Sequence, residues 1–442
     1  MKNLNLEKDN INKLFWVYAI PSMITIGVFS LYSFVDIMFI AKNCNSYALA
    51  AVEMCSPILM LFSCLSVVVG MGANTLIGIS IGKKEYPSAS KVFSLSFVIC
   101  VILSFVFTGA TFLFTDTLSI LLGSNLETSP YMKDYLIVCG VFAPFYIVNG
   151  LCSECAATIG KPLVSMLGNL STTILNIVLD YFFIVIFEWS VLGAALASGI
   201  SAAIGSLILL LAIIKNNSCL KICRFTVDLE IIKQIFYNGS SEGITVLGGV
   251  IISFLYNVII MKNGGATTLA SYTVSLSIIN FIGSLLTGAA QGLNPVVSTN
   301  YGAQNNERIK KVISIFLVYE TLLGLLISIM LFIFKERVLS MFVLEDIQTS
   351  SHIINTYLPL LIFTPCCSII ISFFTSINDA KTSAILSIIR MLFIRIIIII
   401  SVYIVFGING LWYSAAVSEI VSFLIFIAVF KQKMIHLNSV EN

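Results

Sequence analysis

The sequence predicts an all-α polytopic membrane protein with twelve transmembrane helices in two parallel six-helix repeats. Three observations carry that prediction. Hydrophobic residues make up 58% of the 442 and charged residues only 10%, with a mean hydropathy of +1.02, beyond what a soluble globular chain needs. Long apolar runs alternate with short polar islands along the whole chain. The second half also repeats the first in a single register.

A helix needs about 20 mostly apolar residues to cross a bilayer core. That length places helices at 14–41, 47–81, 89–114, 132–159, 161–187 and 190–214, then at 239–262, 267–302, 308–334, 352–378, 382–407 and 410–430. The runs 47–81 and 267–302 are too long for the core alone and are expected to project into water or bend. The polar stretch 215–238 separates an N-terminal lobe, 1–214, from a C-terminal lobe, 239–442. Its segment Asp228-Leu-Glu-Ile-Ile-Lys-Gln-Ile-Phe236 predicts a short amphipathic helix lying at the membrane interface. Met1 to Asn12 is polar, and no small-residue cleavage site ends the first apolar run, which predicts a retained helix.

A net charge of +2 argues neither for nor against a nucleic-acid partner, but the charges cluster in short polar islands and not along a basic face, so none is expected. The cysteines, Cys139 among them, fall mostly within apolar runs and read as small core residues. Cys152-Ser-Glu-Cys155 has neither a second pair nor a nearby strand pattern, so it is read as core and not as a redox or metal site. His352 and His436 lie far apart and offer no His-based metal site. Gly78-Ile-Ser-Ile-Gly82-Lys83-Lys84 is one residue too short for a phosphate loop and lacks its Ser or Thr, which argues against an ATP-driven pump and leaves a membrane-embedded enzyme a remote alternative.

A shift of 220 residues superimposes Ser33-Phe34 on Ser253-Phe254, Lys42-Asn43 on Lys262-Asn263 and Leu49-Ala50 on Leu269-Ala270. It also carries Gly72, Asn74 and Gly82 onto Gly292, Asn294 and Gly302, and Lys91-Val92 onto Lys311-Val312. With six spans per half, the repeats run parallel, an arrangement found in transporters that bind substrate between the halves. Seventeen Lys and Arg lie on the side holding both ends of the chain, against five on the other. The bias predicts cytoplasmic termini in a multi-pass protein of the cell inner (plasma) membrane.

Within this apolar background, Asn176-Ile-Val-Leu-Asp180 puts an amide and a carboxylate on one helix face. A carboxylate in lipid costs several kcal/mol unless it faces a cavity and has partners. Counting about 1.5 Å per residue, Asp36 lies about 9 Å below Lys42, Asp180 about 12 Å below Glu188, and Ser198 about 15 Å below Glu188 on the returning helix. Three helices therefore bring polar groups to a similar depth. Two carboxylates sharing a low-dielectric pocket cannot both ionise cheaply, so a proton or a monovalent cation has to share it with them.

The chain resembles the multidrug and toxic compound extrusion (MATE) family of cation-coupled exporters over nearly its whole length. The resemblance rests on Pro21 with Phe34-Val35-Asp36, Leu49-Ala50-Ala51-Val52, Gly72 to Gly82, Asn176 to Asp180, and Gly193-Ala194-Ala195-Leu196-Ala197-Ser198. In the second half it rests on Gln291-Gly292-Leu293-Asn294-Pro295, Asn300-Tyr301-Gly302-Ala303 with Arg308, and Gly407 to Trp412. It implies a V-shaped cleft between two six-helix lobes, alternating access, and export of organic compounds driven by a proton or sodium gradient. It also implies that Asp36, Asn176, Asp180 and Ser198 occupy the first-lobe cation site, with Ser198 where a threonine is common.

Some family members carry an acidic pair in the second lobe, and here no such pair is evident. The seventh span offers only Glu242, and Asp36 shifts onto Tyr256. Glu53 is a candidate contact for a cationic substrate, weighed against a plain solvated helix end. Glu320, Arg390, Arg395 and Glu419 read as structural ion pairs, because opposite charges in lipid seek each other. Gly72, Gly82, Gly292 and Gly302 read as close-packing or bending positions. A lipid-linked oligosaccharide flippase of the same superfamily is the rival reading. It would need several basic residues for a pyrophosphate, and only Arg390 and Arg395 qualify. The partners expected are therefore a small organic molecule, the bilayer and a coupling ion, H+ or Na+, with no cofactor. A single chain is expected to suffice.

Overall fold

The computed structural model describes residues 5–215, 220–224, 226–340 and 346–439. Residues 1–4 of the polar start and 216–219 and 225 of the expected linker lie outside the described residues. All the regular structure among those described is helical. It begins with α1 (Ile11–Asn43), α2 (Ser46–Gly82), α3 (Tyr86–Leu113), the short α4 (Thr115–Leu121) and α5 (Ser129–Thr158). Next come α6 (Pro162–Asp180), extended by a π-helical turn at Tyr181–Ile186, and α7 (Ser190–Ile214). The chain continues through α8 (Leu229–Gln291), α9 (Leu293–Gly302), α10 (Asn306–Leu339), α11 (Ile347–Tyr357) and α12 (Leu360–Ser376). It ends with α13 (Ala380–Ile388), a second π turn at Ile389–Ile394, and α14 (Arg395–Ser439).

Local chemistry sets several of these boundaries. The Asn45 side chain caps α2 by accepting from the Ala48 amide at 2.8 Å, and Asn305 and Asp379 cap α10 and α13 in the same way. Proline stands in the first turn of α3, α5 and α6, where its missing N–H costs nothing. Gly265 and Gly407 interrupt α8 and α14 with φ of 73° and 63°. Backbone in that left-handed region favours a residue without a side chain.

Among the described residues, eleven helical stretches are long and apolar enough to cross a membrane. The last, Ala380–Met434, contains 55 residues and would be about 80 Å long against a core of about 30 Å. Gly407 divides it into the two spans expected at 382–407 and 410–430. The run 267–302 is interrupted at Gly292, where α8 gives way to α9. Residues 229–236, in contrast, form no separate interfacial helix. They are the first turns of α8, which runs on without a break to Gly265.

The physical reason lies in two glycines. A Cβ on Gly239 would sit 1.8 Å from the Val68 carbonyl oxygen, and one on Gly72 would sit 1.9 Å from that of Ile235. The start of α8 thus packs backbone to backbone on α2, a contact invisible to a hydropathy count.

The chain falls into two compact units. The first is Ile24–Gly239; the second joins Leu6–Met23 to the chain from Ser240 onward. In the first unit α5 is central, packing on α2, α3, α6 and α7. Its core includes Val69, Phe93, Leu151 and Ile235 at one level and Ile40, Phe62, Ile184 and Val191 at another. In the second unit α12 packs on α9, α10, α13 and α14, and Arg308 and Asn300 hold the N-terminal segment through the Leu6 carbonyl, at 3.2 and 3.1 Å. Large apolar side chains such as Phe105, Ile404 and Leu424 remain exposed, as surfaces that meet lipid do.

Candidate cation site

The first unit gathers the polar residues marked by their depth. Asp180 and Asn176 sit at the end of α6, one turn apart, and both are fully buried. The opposite side of α6 carries Leu163, Leu167, Ile174 and Val178, all exposed, so the helix turns its polar face inward and its apolar face out. Asp36 of α1 and Ser198 of α7 are also buried, at 7% and 4% exposure.

These four residues form one constellation. The carboxyl groups of Asp36 and Asp180 lie within hydrogen-bonding reach of each other. In the orientation that gives its amide complementary partners, Asn176 donates to Asp180 Oδ2 at 3.1 Å and accepts from the Ser198 hydroxyl at 3.1 Å. Oδ1 of Asp36 and Oδ1 of Asp180 are buried with no hydrogen-bond partner. Buried oxygens almost always have a partner, so two spare acceptors on adjacent carboxyls make an acceptor-rich pocket suited to a proton or a small monovalent cation. Directly after Asp180 the backbone widens into the π turn, a local irregularity that often accompanies functional sites.

Sequence reasoning overlooked one neighbour. Cys139 of α5 is buried within electrostatic reach of Asp36, and Tyr135 hydrogen-bonds to its thiol. Nothing set Cys139 apart from the other scattered cysteines. Cys152 and Cys155 are buried free thiols. Glu53, the candidate substrate contact, is exposed on α2, and no described hydrogen bond or ion pair joins it to the four.

The second unit treats its charges differently. Arg390 reaches Glu419 through Nε at 3.1 Å and Nη2 at 3.0 Å, and Arg395 Nη1 lies 2.9 Å from the same carboxylate and 3.1 Å from the Ser418 hydroxyl. Arg390 and Glu419 are buried. The expected ion pairing therefore holds for three of the four residues read that way. Glu320 departs from it: it is fully buried on α10, and neither carboxyl oxygen has a partner. Both arginines are engaged by Glu419. At the place that the repeat assigns to Asp36, Tyr256 hydrogen-bonds Ser414 at 2.7 Å and stacks on Tyr272 with ring centroids 5.5 Å apart.

Comparison with known proteins agrees with this architecture. The MatE family matches residues 21–182 and 243–400. The multidrug export protein MepA of Staphylococcus aureus (strain N315) is 25% identical over 420 residues, 93% of this chain and 92% of MepA. MepA of Staphylococcus haemolyticus (strain JCSC1435) is 28% identical over 314 residues, 71% and 69% of the two chains. The fold matches an outward-facing multidrug resistance MATE family transporter of the MOP superfamily with a TM-score of 0.93, at 22% identity over 99% of both chains. A MOP superfamily transporter from Pyrococcus furiosus Vc1 (DSM3638) matches with a TM-score of 0.91, at 23% identity over 99% of both chains. With apolar helices long enough to cross a membrane many times and a family match across both halves, the protein belongs to the MatE family of multipass membrane transporters, which are secondary transporters and not enzymes.

Proposed function

We propose that this transporter is an antiporter that exports organic, cationic or amphiphilic compounds by alternating access, with the coupling ion, H+ or Na+, held by Asp36, Asn176, Asp180 and Ser198. The observation that carries this reading is the pair of adjacent buried carboxyls, each with an unpartnered oxygen. A helix-bonding role would use those acceptors up; an ion site needs them spare. Antiport then requires that the ion and the organic cargo favour different conformations. In this reading the lobes 1–214 and 239–442, joined through 215–238, are the bodies that rearrange. Both termini are cytoplasmic, the chain lies in the cell inner (plasma) membrane, and one chain suffices. Glu53 stands as a proposed contact for cationic cargo.

The flippase alternative loses support from the second unit, because the two arginines that might hold a pyrophosphate are already bound to Glu419. The test is ion-driven transport of ethidium in membrane vesicles, with proton and sodium gradients imposed separately, for wild type, Asp36→Asn and Asp180→Asn. Loss of ion-driven transport at normal protein level is expected in both variants. Unchanged coupled transport in both would remove the site assignment, and the gradient that drives the wild type identifies the ion.

A further inference from the structure

An antiporter must release its coupling ion to the side opposite its entry, and the Asp36–Asp180 pair is buried. The polar face of α6 does not stop at Asn176. It continues through Thr172 to Asn169 and Ser165, each three or four residues from the last, with Thr173 beside Thr172. Asp180 lies fifteen positions beyond Ser165, about 22 Å of helix, most of a bilayer core of about 30 Å.

The neighbouring helices match that face one turn at a time. Below the pair, Thr172 and Asn149 of α5 converge over Gly205 of α7. A Cβ at Gly205 would lie 1.8 Å from the Thr172 hydroxyl and 3.2 Å from the Asn149 amide nitrogen. One turn further, Asn169 donates to the Ser153 hydroxyl at 2.8 Å, and Ser153 and Ser165 share a hydrogen bond of 2.7 Å. The row ends beside Ser153 at Glu154, whose carboxylate accepts from Asn74 at 2.9 Å, while Thr158 donates to the same Asn74. That end adjoins the α5–α6 turn with Lys161, on the side the basic bias assigns to the cytoplasm.

Polar side chains also bond membrane helices together, but two features exceed that role. The Asn149 amide nitrogen is buried with no partner, and the missing side chain at Gly205 lets the Thr172 hydroxyl seat directly against α7 beside that amide. A row of hydroxyl and amide groups at successive turns can relay a hopping proton, and its oxygens are of the kind that ligate sodium.

Resting on the antiport reading above, we infer that the first unit contains a polar passage between α5, α6 and α7, through which the coupling ion leaves the Asp36–Asp180 pair past Thr172 and Asn149 toward Glu154 and the cytoplasm. The test uses inverted membrane vesicles carrying the full-length protein, in which the Glu154 end faces the bath. Ethidium uptake is driven by a proton-loaded or, in a separate arm, a sodium-loaded lumen. Maximal uptake rate and the luminal ion concentration giving half that rate are measured for wild type, Thr172→Val, Thr172→Ser, Glu154→Gln and Asp36→Asn.

Thr172→Val and Glu154→Gln are expected to lower the maximal rate about tenfold, the kinetic cost of one lost hydrogen-bonding station, with half-saturation unchanged. Thr172→Ser keeps the hydroxyl and is expected to keep both values, which separates lost chemistry from damaged packing. Unchanged rates in both Thr172→Val and Glu154→Gln would overturn the passage. A shift in half-saturation with the maximal rate kept would overturn it too, assigning these residues to the ion site itself. Ion-driven uptake persisting in Asp36→Asn would instead refute the reading of the pair.

Discussion

The two units carry charge on corresponding helices and use it in opposite ways. In the first unit α6, with its π turn, and α7 bring Asn176, Asp180 and Ser198 together, and the acids keep oxygens to spare. In the second unit α13, with its own π turn, and α14 bring Arg390, Arg395 and Glu419 together, and the carboxylate is closed on two guanidinium groups. The same helical irregularity thus frames an open acceptor site in one half and a sealed ion-pair cluster in the other. Between these two clusters, spare acceptor capacity is what separates the candidate ion site from a buried ion pair.

That contrast can be broken at Glu419. Removing one partner of a buried ion pair leaves an uncompensated charge, at a cost of about 3–5 kcal/mol. Glu419→Gln strands two guanidinium groups, so a large fall in thermal stability in detergent is expected, with the ion dependence of whatever protein still folds unchanged. A Glu419→Gln protein of wild-type stability that had lost ion coupling would reverse the roles of the two units.

The repeat-related glycines sharpen the comparison. A Cβ on Gly72 would meet the Ile235 backbone oxygen at 1.9 Å, whereas one on Gly292 would meet Tyr18 Cβ at 2.8 Å. Neither atom can swing away, and the closer clash demands the larger shift, so Gly72→Ala should show the upper part of the overpacking range of about 1–3 kcal/mol and Gly292→Ala the lower part. Thermal melting of the two variants checks the order, and the reverse order would deny the backbone contact between α2 and α8.

Glu320 offers a smaller effect with the opposite sign. A buried polar group without a hydrogen bond costs about 1–3 kcal/mol by mutational measures. With no partner to strand, Glu320→Leu should raise the melting temperature by the equivalent of about 1 kcal/mol, at the low end of that range. A fall in stability would mean that Glu320 has a partner in the folded protein.

Hydropathy and period made most of the fold legible, because a span must be long and apolar wherever it packs. The candidate site was legible for a related reason: Asp36, Asn176, Asp180 and Ser198 are polar where lipid tolerates little polarity, and rise per residue sets their depth. What stayed hidden depends on which faces meet. Glu320 reads like Glu419 in one dimension, and only the orientation of α14 decides which acid receives the arginines. The helix at Leu229–Phe236 has an interfacial composition, yet Gly72 and Gly239 let it seat on α2. Cys139 differs from the other cysteines only by standing next to Asp36.

The smallest test lies where the two units differ at a helix start. Lys161 precedes α6 and provides no side-chain cap, while Asp379 precedes α13, accepts from the Thr382 amide and pairs with Lys433 at 2.9 Å. Partial burial alone would raise the Asp379 carboxyl, but Lys433 and the Thr382 contacts outweigh it and hold the group below the usual carboxylate range. A depressed folded value means stability that is complete above the unfolded value, near 4, and lost as pH falls through the folded one. Asp379→Asn keeps a capping oxygen and should cost no more than the partly exposed ion pair, about 1 kcal/mol or less. Asp379→Ala should add about 1 kcal/mol for the lost cap. The difference in melting temperature between wild type and Asp379→Asn should shrink as the assay pH is lowered from 7 through the carboxylate range. A gap that stayed constant would mean that the charge on Asp379 adds nothing and that only its cap stabilises α13.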